Sequence, residues 1–229
     1  MTDLPDSVQA LAAAALAEMQ ADPQHRLAPR RRRALYEALA AAPDPALRTA
    51  PQWLAVLAAQ RVLPLFQARC PNDELPPALL ATAIGVLGGK LDAATADEME
   101  ARGYRASHNA WGYEEDELPW PVGLAADAAY HALKEARGHI PLGPANLQAV
   151  LRQGTVQLGQ GEAGKPAPRL TPAPAEQGQA EVHDEVLCQM DNSDTASLAA
   201  VAAASSEFGL TCDPQRVQTF WTWWLQEAL

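Results

Sequence analysis

Four consecutive acids, Glu114, Glu115, Asp116 and Glu117, stand between Trp111, Tyr113 and Trp120 in this chain of 229 residues. That grouping suits recognition. Clustered carboxylates speed encounter with a basic partner, and aromatic side chains supply the desolvated anchors that slow its escape. A plainer reading stands beside it, in which the stretch is a solvated loop whose aromatics turn into the core. On the first reading, Trp111, Tyr113, Glu114, Glu115, Asp116, Glu117 and Trp120 are the candidate partner-binding residues.

Other candidate motifs fail on their own chemistry. Gly159, Gly161 and Gly164 form a literal G-x-G-x-x-G. A dinucleotide site needs a strand before that motif and a helix after it, so that phosphate meets the helix N-terminus. Here Lys165-Pro166-Ala167-Pro168 follows and cannot open such a helix. In Gly88-Gly89-Lys90, Leu91 stands where a phosphate loop has Ser or Thr, and Ile84 where it has its first Gly. The five histidines are scattered, with no H-E-x-x-H and no Cys/His spacing suited to zinc. His131 reads as a helix-surface residue, Cys70 as a structural thiol, and no G-x-S-x-G elbow occurs. No catalytic, metal-binding or cofactor-binding residue is assigned, no cofactor is expected, and the chain is read as a non-enzyme.

The charge balance narrows the partners. The net charge is −11, which argues against non-specific nucleic-acid binding. It fits a basic protein partner and also fits simple solubility. The one basic cluster, Arg30 to Arg33, reads as a solvated helix face paired with the protein's own acids. Cys70, Cys188 and Cys212 are far apart and form no C-x-x-C, as expected of reduced thiols in a cytoplasm. The opening MTDLPDS lacks the cationic region of a signal peptide, and no run of 18 apolar residues suggests a membrane span. Heavy Arg and Ala usage, against three lysines, suggests a GC-rich bacterial genome.

The elements that must position these residues read as helices. Apolar residues make up 48% of the chain but aromatics only 6%, because alanine supplies much of the rest. Alanine favours helix and buries little area, so such a core needs close helix contacts and a few large anchors. The expected fold is all-α, a single domain over 1–229 with about nine or ten helices. Helices are expected at Val8–Ala17 and Pro29–Ala41, and from Asp44-Pro45, where Asp caps and Pro takes the first helical position. The stretch from Pro51 to Pro71 is helical in spacing, with a kink or division near Leu63 because Pro64 lies inside it. A helix with Pro76 and Pro77 in its first turn should end at Gly88-Gly89. A short acidic helix should open at Asp92 and stop at Gly103, and periodicity disappears from Tyr104 to Pro121. A helix follows from Val122, then a shorter one from Pro144 to Gln153. Residues 154–180, rich in Pro and Gly, read as a flexible insertion or linker. Helices resume at Val182–Met190, at Asp194–Phe208 and from Asp213-Pro214 to the end. That last helix puts Val217, Phe220, Trp221 and Trp224 on one stripe, with Trp223 on its flank.

Three stretches together, RVLPLFQARCPNDELPPALL, PWPVGLAADAAYHAL and FWTWWLQEAL, resemble the immunity-protein family numbered five of bacterial polymorphic toxin systems. The hydrophobic pattern around Arg61, Pro64, Pro71 and Asp73 carries most of the likeness. It covers residues 30–229 apart from 154–180; the insertion and the arginine run are departures. The resemblance implies a mostly helical cytoplasmic antidote, without catalytic residues, that binds and neutralises a cognate toxin encoded by a neighbouring gene. Two alternatives stand beside it. One is an enzyme of unrecognised type with a site near His108 to Glu117. The other is a helical scaffold that uses Trp223 in a symmetric apolar surface.

Overall fold

A computed structural model describes residues 4–108, 118–138, 194–205 and 212–229. The chain divides into two units, Met1–Pro144 with Asn192–Leu229 and Ala145–Asp191, and the described residues all belong to the first. The protein is all-α. Among the described residues there are nine α-helices and no strand: α1 Asp6–Ala21, α2 Pro29–Ala40, α3 Pro45–Arg48, α4 Ala50–Arg69, α5 Leu75–Leu87, α6 Ala93–His108, α7 Trp120–Ala136, α8 Thr195–Ala204 and α9 Pro214–Trp223. A π-helical turn, Trp224–Ala228, extends α9, and Ser205 and Cys212 form an isolated antiparallel bridge.

The helix starts follow capping chemistry. Asp44, Asp194 and Asp213 each accept a hydrogen bond from the backbone N–H two residues on, at Ala46, Ala196 and Gln215. These side chains satisfy donors that a helix N-terminus leaves unpaired. Gly89 and Gly138, at φ +64° and +70°, take the left-handed backbone that stops α5 and α7.

Helix α7 is the centre. It packs against α4, α5, α6 and α8, and Pro121, Val122, Leu124, Ala125, Ala126, Ala128, Ala129, Tyr130, Ala132, Leu133 and Glu135 are all buried. The helices around it contribute small buried side chains, Ala58 and Ala59 from α4 and Ala196, Ala199, Ala200 and Ala202 from α8. Alanines let the backbones approach closely but remove little area from water. The large anchors come from elsewhere, chiefly Phe66, Phe220, Trp221 and Trp224. Trp221 and Trp224 are core residues, edge to face with centroids 5.7 Å apart, and Trp224 also meets Tyr36 at 5.8 Å.

Three expectations change. Helix α4 runs unbroken through Pro64, which faces solvent, so the carbonyl the proline leaves free lies on the helix's wet side. Helix α6 does not stop at Gly103 but continues to His108, so Tyr104 to His108 is helical rather than loop. Gly103 is buried there, where a Cβ would come within 2.7 Å of the Tyr130 ring and 2.8 Å of a Leu79 methyl. It serves close packing, not termination. Helix α8 ends at Ala204, short of Phe208. The elements expected at Pro144–Gln153, 154–180 and Val182–Met190 lie outside the described residues.

Candidate functional site

Trp111, Tyr113, Glu114, Glu115, Asp116 and Glu117 lie outside the described residues. Trp120 opens α7, with Pro119 at its N-cap. The surface beside this junction is described. Leu65, Ala68 and Arg69 of α4, Pro119, Pro121 and Val122 at the start of α7, Ala202, Ala203 and Ser205 at the end of α8, and Arg216 of α9 line a groove of about 370 Å³. Its floor is apolar. Arg69 makes no ion pair among the described residues, and Arg216 reaches Asp213 only at 3.9 Å.

Farther along α4, the Arg61 guanidinium lies over the Trp223 ring, 4.3 Å from its centroid. Trp223 is half-buried, held also against Phe220 at 5.6 Å. The expected flank position is therefore occupied, and a cation covers the indole face. Trp53 and Leu65 stand exposed on the same helix. Trp and Arg are among the types enriched in binding hot spots.

The arginine run divides its labour. Arg30 and Arg31 both bind Glu18 on α1, at 2.6 and 2.7 Å. Those bonds hold the Glu18 carboxyl below its ordinary range. The expected pairing with the protein's own acids holds here. Arg32 also pairs with an acid of the chain, but it is buried rather than on a solvated face. Its Nε donates to Asp194 Oδ2 at 2.5 Å, its Nη1 donates to the Leu27 carbonyl at 2.5 Å, and its guanidinium lies 5.1 Å from the Trp221 ring centroid.

Beside that pair, Glu135 Oε1 accepts from both the backbone N–H and the hydroxyl of Thr195, at 2.9 and 2.6 Å. Burial, and then the charge of Asp194, push Glu135 up to about 8. The Tyr36 hydroxyl is raised well above its usual range by burial and by the two carboxylates. Glu135 Oε2, Arg32 Nη2, Tyr36 Oη and Trp224 Nε1 are buried without a hydrogen-bond partner among the described residues. Sequence reading missed this cluster. One signal existed: Arg32 shares the buried face of α2 with Leu35, Tyr36 and Leu39.

His131, expected on the helix surface, is half-buried with its ring edge-on to Tyr130 at 5.5 Å. Burial, and then Lys134, push it down to about 4. No group of three metal-ligating side chains occurs among the described residues. Of the suggested enzyme site, His108 ends α6, and the rest lies outside the described residues. Among the described residues, no helix is long and apolar enough to cross a membrane.

Charge is unevenly distributed along the chain. The described residues carry 14 Arg and Lys against 16 Asp and Glu, a net of −2. The remaining stretches carry 3 against 12, a net of −9. No protein-family model matches the chain, and no curated protein sequence matches it.

Proposed function

We propose that this chain is an immunity protein of a bacterial polymorphic toxin system, which binds a cognate toxin and neutralises it by direct, non-covalent cover. The observation that carries the reading is the distribution of charge. The described residues are close to neutral, and nine of the eleven net negative charges belong to the remaining stretches of sequence. Four of those acids, Glu114 to Glu117, sit among aromatics. A neutral scaffold with concentrated acidic segments suits fast, salt-dependent capture of a basic protein.

A second feature supports it. The three stretches that resemble the immunity family meet one another in the fold. Arg61 of the first lies over Trp223 of the third, and the first and second together line most of the groove between α4 and α7. The toxin is read as the product of a neighbouring gene, acting in the cytoplasm.

Co-expression tests the proposal. The neighbouring gene product, expressed alone, should arrest growth. Growth should recover when this chain is co-expressed, and the two proteins should purify together. Toxicity that persists, with no complex recovered from a folded chain, would remove the proposal.

A further inference from the structure

Helix α7 ends at Ala136, and the described chain resumes at Asp194, so two side chains at this junction tie distant parts of the sequence. Glu135 binds Thr195, 60 residues on, and Arg32 binds Asp194, 162 residues on. Arg32 is 3% exposed; Glu135 and Asp194 are 0% exposed. The buried charged side chains among the described residues are these three, one cation and two carboxylates.

We propose that Glu135 holds a proton in the folded protein, beside the charged pair of Asp194 and Arg32, and that this proton fastens α8 to α7. Two carboxylates against one guanidinium leave a buried negative charge, which is costly without a counterion. One bound proton makes the cluster neutral. The hydrogen bonds say where it resides. Asp194 takes the charged bond from Arg32 on Oδ2 and the capping N–H of Ala196 on Oδ1. Glu135 receives only the neutral donors of Thr195, both on Oε1, and its Oε2 faces no donor among the described residues. A protonated Glu135 still accepts both bonds through its carbonyl oxygen.

Among the described residues, Arg32 is the buried cation of this cluster. From α2 come Arg32 and Tyr36, and from α8 Asp194 and Thr195. From α6, Asp97 and Glu100 are engaged by Arg137, the residue that caps the C-terminus of α7. Helix α5 has no titratable side chain, and those of α4, Arg61 and Arg69, are exposed. On α7 itself, Asp127 accepts from Ser107 at 2.8 Å, and Lys134 lies over the Tyr130 ring at 5.3 Å. The remaining group there is His131, pushed down to about 4.

The direction of the pH effect follows. Glu135 is raised from its ordinary 4.5 to about 8, so the folded state holds a proton that the open state releases. The fastening is fully present below about 4.5 and is lost as pH rises through about 8. Within that window each pH unit favours opening by up to about tenfold. His131 works oppositely, but only between its folded value near 4 and its ordinary 6.5. The range from 6.5 to 8 therefore isolates Glu135.

Amide hydrogen exchange of the Thr195 N–H in the full chain tests this, with rates corrected for intrinsic exchange. The opening constant should rise about tenfold from pH 6.5 to 7.5 and level off above about 8. In Glu135→Gln it should be flat over the same range. A flat wild-type profile, or an equal slope in both proteins, would overturn the proposal. The carbon-13 resonance of the Glu135 carboxyl needs no variant and covers the case in which Glu135→Gln fails to fold. A titration midpoint above 6.5 is expected; one below 6.5 would overturn the proposal.

Discussion

Replacing Arg32 with methionine removes the cation from the cluster while keeping much of the side chain's length. Arg32 makes two 2.5 Å hydrogen bonds and stacks on Trp221, yet its removal should cost more than those contacts are worth. Asp194 has no exposure to solvent and no other cation among the buried residues described. Breaking a buried pair on one side typically costs about 3–5 kcal/mol, because the remaining charge is stranded. Asp194→Asn provides the control. Asparagine caps a helix as well as aspartate does, so the bond to Ala196 survives while the charge goes. The double variant R32M/D194N should thus be more stable than the two single losses added together, with a coupling of about 2–3 kcal/mol. Urea unfolding at pH 7, followed by tryptophan fluorescence, measures all four proteins. The reasoning is refuted if R32M loses less than about 1 kcal/mol, or if the two single effects simply add.

Trp224→Ala should destabilise by about 3–5 kcal/mol, since the indole is completely buried. For a chain of this size that lowers the melting temperature by about 6–20 °C, and an unchanged Tm would place the aromatic tail outside the core. Gly103→Ala should cost about 1–3 kcal/mol despite alanine's better helix propensity, because the added methyl meets Tyr130 and Leu79. A G103A protein as stable as wild type by thermal melting would show that α6 is not held close to α5 and α7.

Much of the fold was legible because its signals are local. Asp44, Asp194 and Asp213 before helix starts, the glycines after α5 and the 3.6-residue stripe through Phe220 and Trp224 all act within a turn or two. What was not legible depends on distant partners. Gly103 looks like a stop until Tyr130 is seen against it, 27 residues along the chain. Arg32 looks like its neighbours Arg30 and Arg31, which pair at the surface with Glu18. Only the packing of α8 against α7 brings Asp194 to it. Glu135 sits beside ordinary helix-surface types, Lys134 and Arg137, and the packing of four helices around α7 is what sets it apart. Pro64 shows the converse. A local signal for a break is overridden because the proline faces water and the helix is held by its other side. Of the proposed binding residues, only the helical start at Trp120 falls within the described fold, so the binding reading continues to rest on residue type and charge.

The most direct test of that reading is the association rate between this chain and the proposed neighbour-encoded toxin, measured across a range of salt. The comparison is wild type against a chain carrying Glu114→Gln, Glu115→Gln, Asp116→Asn and Glu117→Gln, with thermal melting confirming that both fold. The neutralised chain should associate more slowly, by about tenfold or more at low ionic strength, and with a shallower salt dependence. Equal association rates and equal salt slopes in two folded proteins would contradict the acidic-capture reading.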